Sequence, residues 1–204
     1  MGKAERVNAA YAHDCELWSR GLVFGGIDEA GRGPLAGCVT AACVVMPESP
    51  RITSIYDSKQ VSAKKREELY GLITSTAVFW QVGRAEAFEI DEINILQATK
   101  LAMRRAAKGA PAGMFLIDAV TGIGLPGEEM AIIKGDDVSY SIAAASIIAK
   151  VSRDREMLEL DSLYPAYGFL RNKGYGTREH MEALRARGPC PVHRATFIKG
   201  ILPL

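Results

Sequence analysis

Residues 3–19 are polar and helical in pattern, and they predict a short N-terminal helix. Residues 22–27, Leu-Val-Phe-Gly-Gly-Ile, form an apolar run that reads as a buried strand. The following Asp28–Pro34 contains two glycines and a proline and is expected to leave that strand. Residues 37–46 are rich in β-branched side chains and predict a second strand, so the pair suggests a hairpin. Residues 57–60 read as a loop, and Ser62 is a candidate cap for a helix to about Ile73. A third strand is expected over 77–83, then a long helix capped by Asp91 or Asn94 and stopped near Lys108 by Gly109 and Pro111. Residues 114–118, Met-Phe-Leu-Ile-Asp, predict a buried strand ending in an acid, and 130–134 a short strand ended by Gly135. A helix follows from about Ser139 to Leu160. A Gly/Tyr-rich loop fills 164–176, and Thr177 opens a last helix to about Arg187. Three early strands followed by alternating helix and strand predict a mixed sheet flanked by helices.

The chain of 204 residues is 48% hydrophobic and 24% charged, which excludes disordered and low-complexity classes. This length and the lack of a linker-like stretch predict a single domain. No apolar run reaches the roughly 20 residues of a membrane span, and the polar N-terminus lacks the core of a secretion signal. Four cysteines without CxxC spacing fit a reduced, cytosolic, soluble protein. Nothing in the pattern demands an oligomer, so a monomer is expected. The net charge is +1, which excludes a uniformly basic coat. Residues 171–204, however, carry seven basic and two acidic residues. That basic segment is either a solvated helix face or a phosphate-contacting arm.

Four acids stand at strand ends: Asp28 and Glu29 after the first, Asp118 closing the fourth, and Asp136 just beyond the fifth. Carboxylates brought together there would repel one another, and a hard divalent cation with oxygen ligands removes that cost. Two such ions, about 3.5–4 Å apart, could activate water and stabilise the leaving oxygen of a phosphodiester. Adjacent strand residues point to opposite faces, so Asp28 and Glu29 are expected to share a site only if the chain turns there. The Gly31-Arg32-Gly33 loop is not a dinucleotide fingerprint, because the next segment favours strand rather than helix. Its glycines permit close backbone approach to a nucleic acid, and Arg32 could meet a phosphate.

The segment from Gly26 to Gly37 resembles the opening motif of ribonuclease HII, the prokaryotic type 2 ribonuclease H. Asp57-Ser58-Lys59 resembles its D-S-K loop. Lys134-Gly135-Asp136 with Ser141–Val151 and Arg153-Asp154 resembles its central helix motif. Tyr164-Pro165, Tyr167–Phe169, Asn172–Thr177 with His180, and finally His193-Arg194 with Phe197 are similar to its C-terminal motifs. The matches run in order from residue 26 to residue 197. Three departures are visible: Ala119 follows Asp118 where many members have glycine, Thr196 stands where serine is usual, and the tail 198–204 differs from the expected ending and is assigned no role. The Gly-Arg-Gly loop and the short segment before the first strand favour this type over the related ribonuclease HIII.

The resemblance implies a ribonuclease H-like fold with a core over about 20–162 and a C-terminal helical segment over about 163–204 that contacts substrate. It implies hydrolysis of the RNA strand of RNA–DNA hybrids and cutting 5′ to single ribonucleotides in duplex DNA, leaving 3′-hydroxyl and 5′-phosphate ends. Mg²⁺ or Mn²⁺ is the implied cofactor, held by Asp28, Glu29, Asp118 and Asp136 as catalytic acids. Gly31, Arg32, Gly33 and Tyr175 are implied to sense the 2′-hydroxyl at the RNA–DNA junction. Lys59, Ser146 and Lys150 match motif positions, and Arg171 and Lys173 would supply phosphate contacts. His180 and His193 are expected to be structural or substrate-side, since a hard-cation site needs oxygens.

Overall fold

The computed structural model describes residues 3–55, 58 and 61–201, with the backbone alone for residues 3 and 4. Asp57 and Lys59 of the D-S-K loop lie outside the described residues. Five strands form one sheet in the order β3-β2-β1-β4-β5: β1 (Phe24–Ala30), β2 (Val39–Val45), β3 (Phe79–Ala85), β4 (Met114–Asp118) and β5 (Glu128–Ile132). β1, β2 and β3 run antiparallel as a meander, while β4 and β5 run parallel to β1. The mixed sheet expected from the pattern is therefore present.

Helices cover both faces. α1 (Lys3–Ser19), α2 (Ala63–Thr76) and the long α5 (Tyr140–Leu163) lie on one side, and α3 (Ala87–Ala107) on the other. The short α4 (Gly135–Val138) precedes α5, and α6 (Phe169–Asn172), α7 (Arg178–Arg187) and α8 (Ala195–Ile198) follow it. Strand alternation sorts the core. Ile27, Ala41, Cys43, Phe115 and Ile117 pack against α3, while Ala42 and Val44 pack against the small residues Ala143, Ala144 and Ala145 of α5. α5 approaches β1 so closely that a Cβ at Gly26 would stand 2.1 Å from the Ser141 carbonyl carbon. The first turn of α5 is held by two oxygens: Ser139 Oγ accepts from the Ile142 amide at 3.3 Å. Buried Asp14 of α1 accepts from the Ser141 amide at 2.8 Å.

Three expectations are corrected. β1 does not end before Asp28; it continues through Ala30, paired with β2 at Asp28–Ala42, Glu29–Ala41 and Ala30–Thr40. The glycines allow the turn, but the ladder to β2 delays it to Gly31. α3 begins at Ala87, not after Asp91, because Glu86 and Glu89 form a reciprocal capping box. Asn94 is still a cap: it breaks the helix with φ 67°, and its side chain accepts from the Leu96 and Gln97 amides at 3.0 and 3.2 Å. Asp91 instead receives the Ala195 and Thr196 amides at 2.7 and 2.8 Å and the Thr196 hydroxyl at 2.5 Å, tying α8 to α3. The loop expected over 164–176 contains a 3-10 turn at Pro165–Tyr167 and the helix α6.

Candidate active site

β4 pairs with β1 only as far as Ile27–Ile117 and ends at Asp118, so β1 runs two residues past the end of its parallel neighbour. Asp28 and Asp118 follow at the same level on adjacent strands and share the face that α5 covers. Beyond them β1 is open on one side. Glu29 therefore reaches the same cleft as Asp28 without the turn that strand alternation was expected to demand. That cleft, about 150 Å³ in volume, is lined by Asp28, Glu29, Gly31, Ser58, Ser146, Lys150, Arg153 and Tyr175.

The four acids act on one another. Asp28 is buried, and its carboxyl is pushed well above the ordinary range, first by burial and then by the charges of Glu29, Asp118 and Asp136. Two of the acids are held by backbone amides. Asp28 accepts from the Glu29 amide at 2.7 Å, and Asp118 accepts from the Gly135 amide at 2.7 Å. The second bond fixes the entry of α4, whose first turn carries buried Asp136; Lys134 before it is left-handed, at φ 56°. Arg32 lies over Glu29 at 3.3 Å and is itself half exposed. Among the described residues no three acids, histidines or cysteines stand close enough together to hold a metal ion as they are placed. Yet the donors at this strand end are all carboxylate oxygens, the set suited to Mg²⁺ or Mn²⁺. Their mutual repulsion at Asp28 is the cost a divalent cation removes.

The glycine loop is clamped from beneath by two buried arginines that charge and composition alone do not single out. Arg194 donates to the carbonyls of Gly31 (2.7 Å), Arg32 (2.9 Å), Gly37 (3.0 Å) and Cys38 (3.1 Å). Arg153 donates to the carbonyls of Ala36, Cys38 and Lys173 at 3.3, 3.4 and 3.0 Å. Burial, and then the Arg153 charge, pull the Arg194 guanidinium down to about 10, which leaves it charged at neutral pH. Gly31 is left-handed at φ +93°, and a Cβ there would lie 2.0 Å from Arg153 Nε.

The C-terminal segment is stitched to the same loop: the Leu35 amide donates to the Gly174 carbonyl, and the Arg194 amide to the Leu35 carbonyl, both at 2.8 Å. Tyr175 is thereby set beside the loop, its ring 3.8 Å from where a Cβ of Gly33 would stand. Ser146 lies against Ser58, hydroxyl to hydroxyl, at 2.7 Å, and Lys150 pairs with Asp154 at 2.6 Å. Lys173 lines a neighbouring groove with Lys64, Arg66 and Arg155. Arg171 is not drawn to the cleft; it stands exposed, paired with Glu179 at 3.0 Å.

A family model described as Ribonuclease HII matches residues 25–200. The chain belongs to the ribonuclease HII family. It is 52% identical over 198 residues to the ribonuclease HII of Desulfitobacterium hafniense strain DSM 10664, covering 96% of this chain and 76% of that one. It is 47% identical over 201 residues to that of Caldanaerobacter subterraneus subsp. tengcongensis, covering 97% and 83%. Among solved structures, the ribonuclease H2 from Pyrococcus horikoshii OT3 superposes with a TM-score of 0.73 at 27% identity, covering 85% of this chain and 92% of that chain. The chain is thus an endoribonuclease of the ribonuclease H type, with the family's activity on RNA–DNA hybrids and its dependence on divalent metal. The resemblance read from the motifs and the fold it implied both hold. No helix among the described residues is long and apolar enough to cross a membrane.

Proposed function

We propose that this ribonuclease HII cuts 5′ to single ribonucleotides embedded in duplex DNA, as well as the RNA strand of hybrids, leaving 3′-hydroxyl and 5′-phosphate ends. This is the incision that would begin ribonucleotide excision repair in the cytoplasm, and a monomer suffices for it. The carrying observation is that Asp28 and Glu29 line the same cleft as Gly31 and Tyr175. A hydrolytic end and a sugar-reading end are then within one nucleotide's reach.

In this reading Asp28, Glu29, Asp118 and Asp136 hold Mg²⁺ or Mn²⁺. When bound, the cation supplies Lewis acidity toward the phosphate and lowers the pKa of water. The residues of the chain do the rest. Asp28 and Asp118, fixed by the Glu29 and Gly135 amides, keep their carboxylates oriented without substrate. Gly31 and Gly33 flank Arg32 with backbone that carries no side chain of its own, and Tyr175 offers a half-exposed ring against the sugar. A 2′-hydroxyl is what separates RNA from DNA at such a surface. Ser146, Lys150, Lys173 and Arg32 supply polar and phosphate contacts beside the cleft; Lys59 shares that role by its motif position. Arg171 and the rest of the basic segment 171–204 add attraction farther out.

The test is a labelled substrate panel with Mg²⁺ or Mn²⁺: a DNA duplex with one ribonucleotide, an all-DNA duplex and a uniform hybrid. Chelator-sensitive cutting 5′ to the single ribonucleotide is expected. Cutting of the hybrid alone would overturn the junction-reading role of Gly31–Gly33 and Tyr175.

A further inference from the structure

Tyr175 is held at its backbone by a relay of two buried imidazoles. The amide of Cys190 donates to Nδ1 of His193 at 2.9 Å, while the Cys190 carbonyl lies farther off at 3.2 Å. With Nδ1 accepting, His193 carries its proton on Nε2. That nitrogen faces Nε2 of His180 at 2.9 Å, which must then accept. His180 consequently carries its proton on Nδ1, and that nitrogen stands 2.9 Å from the carbonyl of Tyr175. The chain of donors has one direction, from Cys190 to Tyr175, and it is complete only when both rings are neutral.

The surroundings enforce neutrality. His180 and His193 are buried against the rings of Tyr167 and Phe169, with His193 4.7 Å from Tyr167 and His180 5.4 Å from Phe169 between centroids. Burial lowers the His180 pKa, and burial followed by the facing His180 pulls His193 down to about 4. The residue after His193 is Arg194, whose guanidinium holds the carbonyls of Gly31 and Arg32. One dipeptide therefore anchors both sides of the sugar-reading surface: Arg194 the glycine loop, and His193, through His180, the tyrosine.

We propose that His180 and His193 are positioning residues for ribonucleotide discrimination, fixing Tyr175 against the glycine loop through the carbonyl of Tyr175. The inference rests on the proposed reading of single ribonucleotides. A ring that merely fills space would be replaced by phenylalanine without consequence. A ring that orients the Tyr175 backbone would not be. Displacing Tyr175 by a fraction of an ångström should leave the acids untouched, so the damage falls on discrimination rather than on hydrolysis as such.

The experiment compares wild type, His180→Phe, His180→Asn and His180→Gln. Its readout is the ratio of kcat/KM on a duplex with one ribonucleotide to that on a uniform RNA–DNA hybrid, with circular dichroism as the fold control. The asparagine amide stands where Nδ1 was and keeps the donor to Tyr175; the glutamine amide stands where Nε2 was and does not. His180→Phe and His180→Gln should lower the ratio by up to about a hundredfold, and His180→Asn should restore most of it. If the phenylalanine variant does not fold, the asparagine–glutamine pair decides alone. Equal ratios in that pair, or a wild-type ratio in folded His180→Phe, overturn the inference and leave the functional reading standing. Failure of the wild type to incise at the single ribonucleotide overturns the functional reading, and the inference with it.

Discussion

The carbonyl of Gly31 accepts a hydrogen bond from Nη2 of Arg194 at 2.7 Å, joining two residues that lie 163 positions apart. Through this contact the end of the chain shapes the loop that follows its first strand. Arg194 is fully buried, so its charge was taken out of water and is compensated by carbonyl oxygens. Arg194→Leu would remove the donor from four carbonyls at once, those of Gly31, Arg32, Gly37 and Cys38. The expected loss is about 3 kcal/mol or more, read from the urea midpoint at constant slope. A loss under about 1 kcal/mol would show that water replaces the guanidinium easily.

Tyr175 should separate discrimination from stability. Its side chain is 47% exposed, so truncation opens no cavity. Tyr175→Ala is expected to cost less than about 1 kcal/mol in stability and to reduce incision at a single ribonucleotide far more than it reduces hybrid cleavage. A collapse of the melting temperature would instead identify the ring as a packing element.

Ala119 occupies a backbone conformation that glycine suits better, with φ +51° immediately after Asp118. An alanine in the left-handed region carries a steric cost of about 1–2 kcal/mol, partly offset by the greater chain entropy that glycine would lose. Ala119→Gly should therefore raise stability by about 0.5–1 kcal/mol, measured by thermal melting, with cleavage unchanged.

Acid should weaken the fold through the histidine pair. In the unfolded chain His193 takes up a proton near 6.5, whereas in the fold it resists protonation down to about 4. Between those values the unfolded state binds more protons, so stability falls as pH drops through that window and levels off below it. His13 works in the opposite direction, because its hydrogen bond to Asp14 raises its pKa; its contribution is present at low pH and fades as pH rises. The difference between wild type and His193→Gln isolates the His193 contribution. Wild type should lose melting temperature faster than the variant between pH 6.5 and pH 4. Parallel curves would place the acid sensitivity elsewhere.

Much of this site was legible in the sequence because its parts are strand ends. Asp118 closes an apolar run, and its position followed from periodicity alone. Asp28 and Glu29 were visible for the same reason, but not the route by which they meet. That route depends on β4 stopping at the level of Asp118, a property of another strand. Asp136 is less a strand end than the first turn of α4, set by the left-handed Lys134. Arg153 and Arg194 were the least legible, since an arginine in a polar stretch reads as solvated surface. Only the motif positions hinted otherwise. The start of α3 was missed because its cap is a glutamate pair, Glu86 and Glu89, outside the usual serine, threonine and aspartate signals. Arg171 was drawn toward substrate by the charge of its segment, yet its partner in the fold is Glu179.

The central claim is that the four acids form the divalent-metal site, and binding tests it without relying on turnover. Mn²⁺ would be titrated into wild type, Asp28→Asn and Asp136→Asn while free Mn²⁺ is followed by electron paramagnetic resonance, with melting curves recorded alongside. Wild type should bind, and each variant should bind at least about tenfold more weakly, since one charged oxygen ligand is lost. Without metal, Asp28→Asn should melt higher than wild type, because it removes a buried carboxyl whose ionisation burial and three neighbouring acids oppose. Mn²⁺ binding that is unchanged in both variants, with a metal-free Asp28→Asn melting no higher than wild type, would contradict the account.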